Sequence, residues 1–246
     1  MNDGWVWGKK YKDLADFTTL KDKILARKLE KSLILEAKRF FGKASSLLEI
    51  GCGTGYLLDS VRMTIGRDDI SYEGVDLSAS AIETAREHFS GLNFSCADVS
   101  EFLRSHPGSY DAILSQRCVQ NILEEQDEVF GLPNGALRPG GAVIMCEATN
   151  QGLNALNAER GKLGLEPIES VWHNKFLDVE GLVEATGHLF DWSVKECCSS
   201  CMFVTRVLYP CFESEPSYNQ PIHQYADTLP ELGSFGYYKL FTGVRR

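Results

Sequence analysis

The sequence predicts an α/β fold built on a mostly parallel sheet. From Ser45 onward, short apolar runs alternate with helix-length amphipathic stretches, the rhythm of strands and covering helices. Most of these runs are continuously apolar, as in strands buried on both faces. The turn signal at residues 138–141 directly precedes another apolar run, so the sheet continues past the middle of the chain. We predict seven strands, at 46–50, 72–76, 93–97, 110–115, 142–148, 190–195 and 236–244.

Composition and charge limit the class of protein. With 246 residues the chain suffices for one α/β domain, and its 43% hydrophobic and 24% charged residues are ordinary for a globular protein. The sequence has no apolar run of membrane length, and its start lacks the basic-then-apolar layout of a secretion signal, so we expect a cytoplasmic protein. The net charge of −9 argues against nucleic acid as a partner.

The eight cysteines raise the question of a metal or disulfide site. The group Cys197, Cys198 and Cys201 is tightly spaced but has no second matching pair. The cysteines in and beside apolar strand-like runs have the character of small hydrophobes in a reducing compartment; they are Cys52, Cys96, Cys118 and Cys146. We therefore favour structural thiols over a metal site.

Two regions flank the predicted core on its N-terminal side. Residues 20–41 carry apolar side chains at helical spacing, and we expect this helix to pack on the sheet edge. Four aromatic residues precede it: Trp5, Trp7, Tyr11 and Phe17. They either pack on their own domain, which we favour, or close over a ligand as a lid.

After Thr149 the strand–helix rhythm breaks down. Residues 151–175 form a polar, glycine-containing segment, and residues 199–230 are predicted to be irregular, with four prolines. The pattern predicts a cap built from insertions after the fifth and sixth strands.

A glycine-rich turn follows the first strand. Gly51, Gly53 and Gly55 stand at alternate positions between a strand and a helix, where glycine permits positive φ and lets a ligand approach the backbone closely. A dinucleotide-binding turn favours a small residue where this sequence has Tyr56. The spacing therefore favours a nucleoside or amino-acid ligand over a diphosphate.

Two aspartates follow the next two strands. Asp76 lies where a carboxylate can accept hydrogen bonds from both ribose hydroxyls of an adenosine, and Ser78 is better placed to cap the next helix. Asp98 faces the same strand-end crevice and can accept from an adenine amino group. It can equally cap its own helix, because Glu101 completes a capping-box pattern, and both roles are compatible.

These residues, together with Glu49 and Ser115, resemble the class I S-adenosylmethionine-dependent methyltransferases over residues 45–149. The resemblance implies a Rossmann-like, doubly wound, mostly parallel seven-stranded sheet, with S-adenosylmethionine as cofactor and S-adenosylhomocysteine as product. It places Glu49 and Gly51 near the methionine portion and Ser115 and Gln116 near the sulfonium. The cofactor-binding residues that it implies are Glu49, Gly51, Gly53, Gly55, Asp76, Leu77, Asp98, Val99, Ser115 and Gln116.

The second half is similar to methyltransferases encoded with bacterial capsule and lipopolysaccharide genes. The similarity lies in an ordered series of short matches: 146–147, 152–153, 156–157, Arg160, 163–165, 172–174 and 205–210. It implies O-methylation of a sugar hydroxyl, with a sugar, nucleotide-sugar or polysaccharide as acceptor. The single domain then divides into an N-terminal arm and helix (1–44), a cofactor-binding core (45–149), a cap with the sixth strand (150–232) and a final strand (233–246).

A hydroxyl acceptor requires help in losing its proton. His173 is the candidate base, because an imidazole titrates near neutral pH and this one lies in the predicted cap; a structural hydrogen-bonding role is the alternative. Glu147 closes the fifth strand at the ligand edge, where it can orient His173, grip the acceptor or accept bonds from loop amides. Further candidates for substrate binding are Asn121, Asn174, Arg206 and Tyr209.

Other functions remain open at this stage. A methyltransferase can act on a phenol, an amine or a phosphate-linked group of a natural-product pathway. A nicotinamide-dependent oxidoreductase also has a glycine-rich turn and an equivalent of Asp76. A non-catalytic protein can keep the cofactor site and lack transfer activity. The sequence does not determine the oligomeric state.

Overall fold

The computed structural model describes residues 21–40, 44–122, 126–170 and 174–246. The aromatic residues near the N-terminus, Trp172 and His173 lie outside these ranges. A seven-stranded sheet in the order β3-β2-β1-β4-β5-β7-β6 forms the centre of the protein. Its strands are β1 Ser46–Ile50, β2 Ser71–Asp76, β3 Asn93–Cys96, β4 Tyr110–Gln116, β5 Leu137–Ala148, β6 Phe190–Glu196 and β7 Tyr238–Arg245.

Helices follow most of the strands. The α-helices are α1 Lys23–Lys38, α2 Tyr56–Ile65, α3 Ala79–His88, α4 Val99–Ser105, α5 Gln126–Ala136, α6 Asn150–Lys162, α7 Val179–Thr186, α8 Ser199–Phe203 and α9 Pro221–Asp227. Two 3₁₀ turns, Val119–Asn121 and Tyr209–Cys211, and a π-helical turn, Val204–Leu208, complete the described elements.

The sheet has a point where its strand order reverses. Strands β1 to β5 pair in parallel, and β1 lies between β2 and β4. Connections therefore leave β1 and β4 in opposite directions, and a crevice opens beyond their carboxyl ends, where ligands of open α/β sheets bind. Strand β7 pairs antiparallel with both β5 and β6, so β6 also ends at this edge.

Two apolar layers cover the sheet. On one face Leu114 and Ile144 pack with the buried face of α1, which presents Leu29, Leu33 and Ala37. The other face belongs to a second cluster that packs against α4 and α7. Alternate side chains of each strand enter the two clusters, which explains why β1 is buried along its whole length.

The structure confirms the predicted fold class and changes several elements. Apart from the start of β5, the strand ends differ from the prediction by two residues or fewer. Strand β5 begins at Leu137 and includes residues 138–141, predicted to be a turn; a register shift between Tyr110 and Ala112 of β4 accommodates them. The glycine and proline residues at 138–141 therefore lie in an irregular part of the strand and do not interrupt it.

Two further predictions were wrong. Helix α1 lies on the face of the sheet, against β4, β5 and β7, because its apolar stripe requires a buried layer rather than an edge. Residues 199–230 contain α8, the π-helical turn, a 3₁₀ turn and α9 instead of irregular chain. Pro210 and Pro221 stand in the first turns of their helices, where proline is tolerated. No helix in the described ranges is long and apolar enough to cross a membrane.

Candidate functional site

The glycine turn connects β1 to α2 at the ligand edge. Gly51, Gly53 and Gly55 have φ values of 66°, 53° and 83°. A Cβ atom on Gly51 would stand 2.3 Å from the Sγ of Cys118, which belongs to the loop after β4. Both the positive φ and the lack of room for a Cβ atom therefore favour glycine at this position.

Asp76, at the end of β2, joins this turn to the next one. Its Oδ2 accepts from the Gly53 amide and its Oδ1 from the Ser78 amide, both at 2.8 Å. Each oxygen keeps a lone pair for a further donor, as two ribose hydroxyls require. Burial raises the pKa of the Asp76 carboxyl. The predicted N-cap of α3 is confirmed, because the Ser78 hydroxyl accepts from the Ala81 amide. Leu77 is an exposed apolar residue beside the Asp76 carboxyl.

Asp98 caps α4, accepting from the Ser100 and Glu101 amides at 2.8 and 3.1 Å. The capping role is confirmed, whereas a contact with adenine stays a prediction. Asp98 is exposed and Val99 beside it is buried.

Glu49 is a buried carboxyl next to the glycine turn. Its side chain lies in β1, 3% exposed, and its Oε2 has no hydrogen-bond partner among the described residues. Burial raises the pKa of this carboxyl well above its usual value, and the charges of Asp76 and Glu30 raise it further. An orphaned acceptor in this position fits a cationic group such as the ammonium of an amino-acid moiety.

Glu147, at the end of β5, is fully buried and accepts four hydrogen bonds. Its Oε1 accepts from the Ser115 hydroxyl at 2.7 Å and from the Cys118 and Val119 amides at 3.0 and 3.3 Å. Its Oε2 accepts from the Gln120 amide at 3.3 Å. Burial raises the pKa of this carboxyl, although these four donors oppose the shift. The geometry thus ties Glu147 to the loop after β4.

That loop, residues 117–122, contains features that the sequence does not reveal. Arg117 has a φ of 56°, which is uncommon for a non-glycine residue, and its amide donates to the Cys146 carbonyl. The side-chain amide of Asn121 donates to the Arg117 carbonyl, while its buried Oδ1 lacks a partner within the described ranges. Cys118, treated from sequence as a small hydrophobe, lies against Gly51; burial and the charge of Glu147 raise the pKa of its thiol well above the usual value.

The predicted substrate-binding residues fall into two groups. Asn121 and Asn174 lie near each other, because the Lys175 amide donates to the Gln120 carbonyl at 2.7 Å. Arg206 and Tyr209 lie farther along the cap, in and after the π-helical turn. His173 lies outside the described residues, so its role stays a prediction.

The cysteines are free thiols. Cys146 and Cys197 approach to 3.9 Å between sulfur atoms in the core. Within the described ranges, no group of three or more His, Cys, Asp or Glu side chains could hold a metal ion.

Comparisons with known proteins agree with this architecture. A family model described as a methyltransferase domain matches residues 48–143, from β1 into β5. Fumosorinone synthetase from Cordyceps fumosorosea (strain ARSEF 2679) is 35% identical over 117 residues, which cover 43% of this chain and 3% of that protein. Malonyl-[acyl-carrier protein] O-methyltransferase from Paenibacillus sp. (strain JDR-2) is 29% identical over 126 residues, 49% of this chain and 45% of that one. The chain thus spans less than half the length of these relatives.

A solved structure matches the whole fold. The N-methyltransferase NodS from Bradyrhizobium japonicum WM9, in complex with S-adenosyl-L-homocysteine, superposes with a TM-score of 0.61 at 14% identity, covering 100% of this chain and 98% of that one. The chain therefore has the Rossmann-like fold of class I methyltransferases. The family match assigns residues 48–143 to a methyltransferase domain, and the cofactor is S-adenosylmethionine.

The first prediction concerns Glu49. Its pKa is raised on folding, so the folded protein keeps this proton above pH 4.5, where the unfolded chain loses it, and stability falls as pH rises above that value. Glu49→Gln should remove that fall and raise the Tm of the ligand-free protein at pH 7 by a few degrees, roughly 2–4 °C per kcal/mol gained. It should weaken S-adenosylhomocysteine binding by roughly ten- to a hundredfold.

Calorimetry and thermal unfolding measure both effects. Glu83→Gln, which removes one exposed carboxylate from α3, is the matched control and should change neither quantity. Normal ligand affinity in Glu49→Gln would show that this carboxyl does not face the cofactor.

Two glycines allow the cost of a positive φ to be measured separately from the cost of a steric clash. Gly51 and Gly66 have nearly equal φ values, 66° and 65°, but a Cβ on Gly66 would meet no atom within 4 Å. Gly66→Ala should cost about 1–2 kcal/mol of unfolding free energy and leave cofactor binding unchanged. Gly51→Ala should cost more and abolish binding, because Cys118 must move. Equal losses in urea unfolding, with S-adenosylhomocysteine bound by both variants, would contradict the steric argument.

Proposed function

We propose that the whole chain is an O-methyltransferase that transfers the methyl group of S-adenosylmethionine to a small polar acceptor. The orphaned Oε2 of Glu49 beside the glycine turn carries this proposal, because it offers the ammonium of the cofactor a buried carboxyl oxygen that has no partner among the described residues. Asp76 offers two acceptor oxygens to its ribose. When bound, the cofactor supplies an activated methyl carbon.

The protein's own contribution is alignment and exclusion of water. Glu147 positions the loop after β4 through its four hydrogen bonds, and this loop borders the place where acceptor and cofactor meet. We assign Glu147 this positioning role in place of a catalytic one, because both of its oxygens are engaged and its side chain is fully buried. His173 remains the proposed base for a hydroxyl acceptor.

The acceptor that we favour is a sugar hydroxyl of a precursor to capsule or lipopolysaccharide. The order of short sequence matches in the cap supports it. Asn121 and Asn174 also support it, since side-chain amides both donate to and accept from sugar hydroxyls.

A second candidate is an acyl or other small-molecule acceptor of a natural-product pathway. The name of fumosorinone synthetase and the carrier-protein substrate named for the Paenibacillus relative favour this class. A protein that binds the cofactor without transferring the methyl group is the remaining alternative.

Two measurements test the proposed function. Calorimetry should detect S-adenosylhomocysteine binding and no NAD binding. Incubation with S-adenosylmethionine and a panel of nucleotide-sugars, free sugars and carrier-bound acyl groups should yield a product one methyl group heavier by mass spectrometry. Binding without any methylated product would favour the non-catalytic alternative, and NAD binding would contradict the proposal outright.

The pH profile of kcat/KM distinguishes the two predicted catalytic residues. A histidine base gives the profile an acidic limb, which should disappear in His173→Ala together with roughly a hundredfold or more of the rate. Glu147→Gln should keep the limb but lower Tm and cofactor affinity, because a side-chain NH₂ would then face donors of the loop. His188→Ala, an exposed histidine, is the control. Loss of the limb in Glu147→Gln alone would reverse the assignment.

A further inference from the structure

A group of polar and aromatic residues under the cap is not explained by cofactor binding. We name it the Arg206 cluster, and its members are Asp22, Arg160, Arg206, Tyr218 and His223. The cluster lies on the ligand side of the sheet, since β6 ends at that edge and continues through α8 into the π-helical turn that carries Arg206. π-Helical turns are frequent at functional sites.

The charges of the cluster do not balance. The Arg206 side chain is 12% exposed, and its Nη2 lies 2.7 Å from Oδ2 of Asp22, which is 3% exposed. Arg160 donates to the backbone carbonyls of Arg206 and Glu166 and has no carboxylate within ion-pair distance among the described residues. Asp22 thus pairs with Arg206 and leaves Arg160 without a carboxylate partner among the described residues. The pKa of Arg160 is lowered by burial and by the charge of Arg206.

His223 is a buried residue of the cluster whose ring lacks hydrogen bonds within the described residues. Its side chain is 1% exposed, and neither ring nitrogen has a hydrogen-bond partner in the described part of the chain. Its Nε2 lies 3.8 Å from Oδ2 of Asp22, and the rings of Tyr209 and Tyr218 stand edge-on to it. A buried polar group without a partner costs about 1–3 kcal/mol, a cost that a ligand hydrogen-bonded to the ring would remove.

Aromatic rings connect the cluster with the strand-end crevice. The Arg206 guanidinium lies over the Tyr218 ring, 4.8 Å from its centre. The charge of Arg206 also acts on Tyr237, whose carbonyl accepts from the Thr149 amide directly after β5. The cluster is therefore beside the edge where the acceptor must enter.

We propose that the Arg206 cluster binds an oxyanion, the carboxylate or phosphate of the acceptor. This inference rests on the proposed function. Arg206 provides a charge-assisted, fork-shaped contact, His223 provides a ring nitrogen, and Asp22 holds Arg206 in place. The acceptor class is thus an acidic or phosphorylated molecule, such as a sugar phosphate or an uronic acid, rather than a neutral sugar.

The test titrates the protein loaded with S-adenosylhomocysteine with three probes. Glucose 1-phosphate represents phosphates, glucuronate represents carboxylates, and glucose is the neutral control. We expect one or both anions to bind and glucose to bind at least tenfold more weakly. Failure to bind S-adenosylhomocysteine would refute the proposed function, whereas normal binding of it with equal affinity for all three probes would refute only the oxyanion site.

Two substitutions with opposite expected effects sharpen the test. Arg206→Gln should weaken anion binding by roughly ten- to a hundredfold, the loss of a charge-assisted contact. Asp22→Asn should strengthen it severalfold, because the competing negative charge is lost while the Asn oxygen can still accept from Arg206 or cap α1. Arg246→Gln removes the same charge near the exposed Asp191, at the opposite edge of the sheet, and should have no effect.

An ion pair with a purely structural role predicts a different pattern. Both Arg206→Gln and Asp22→Asn would then lower Tm and leave anion affinity unchanged. Asp22→Asn keeps the inference testable if Arg206→Gln does not fold, since weaker or unchanged anion binding in Asp22→Asn would overturn it.

Discussion

The buried carboxylate of Glu147 is the contact on which the site depends. It collects the Ser115 hydroxyl and three consecutive loop amides at the ends of β4 and β5. The loop held in this way places Cys118 against Gly51 and offers the Gln120 carbonyl to the Lys175 amide. One side chain therefore fixes the glycine turn, the loop after β4 and the cap relative to one another. Breaking a buried network of this kind removes several contacts together, so the loss of Glu147 would disturb all three segments.

The carboxyl groups at this edge differ in how far the protein satisfies them. Glu147 accepts four hydrogen bonds, Asp76 accepts two from backbone amides, and one oxygen of Glu49 accepts none among the described residues. Burial raises the pKa of all three. The least satisfied carboxyl stands next to the glycine turn, where burial favours its protonated form, and a bound cation would favour the ionised form instead. Such a site is less stable than a fully satisfied core, and this instability is what gives the ligand its binding energy.

The sequence predicts those parts of the fold that are determined by residues close together in the chain. The glycine turn, the Ser78 cap and six of the seven strands follow from local patterns, and the structure confirms them. The start of β5 depends on a register shift in β4, and the position of α1 depends on its apolar partners. The helices of residues 199–230 depend on packing against one another and, for α9, against α1. No local pattern marks the positive φ of Arg117. The partners of Glu147 lie about thirty residues before it in the chain, so its role could not be separated from that of a base.

The two polar regions at this edge have opposite electrical character. The turn after β1 gathers Glu49 and Asp76, while the cap gathers Arg160 and Arg206, of which Arg206 pairs with Asp22. A cationic cofactor and an anionic acceptor would each be attracted to one region and repelled by the other, which discourages binding in the wrong place. Opposite charges on the two ligands would also favour their approach, more strongly where the bound ligands exclude water from the crevice. The acidic net charge of the chain would otherwise work against an anionic acceptor, and a local pair of arginines overcomes it only because they are close and partly buried.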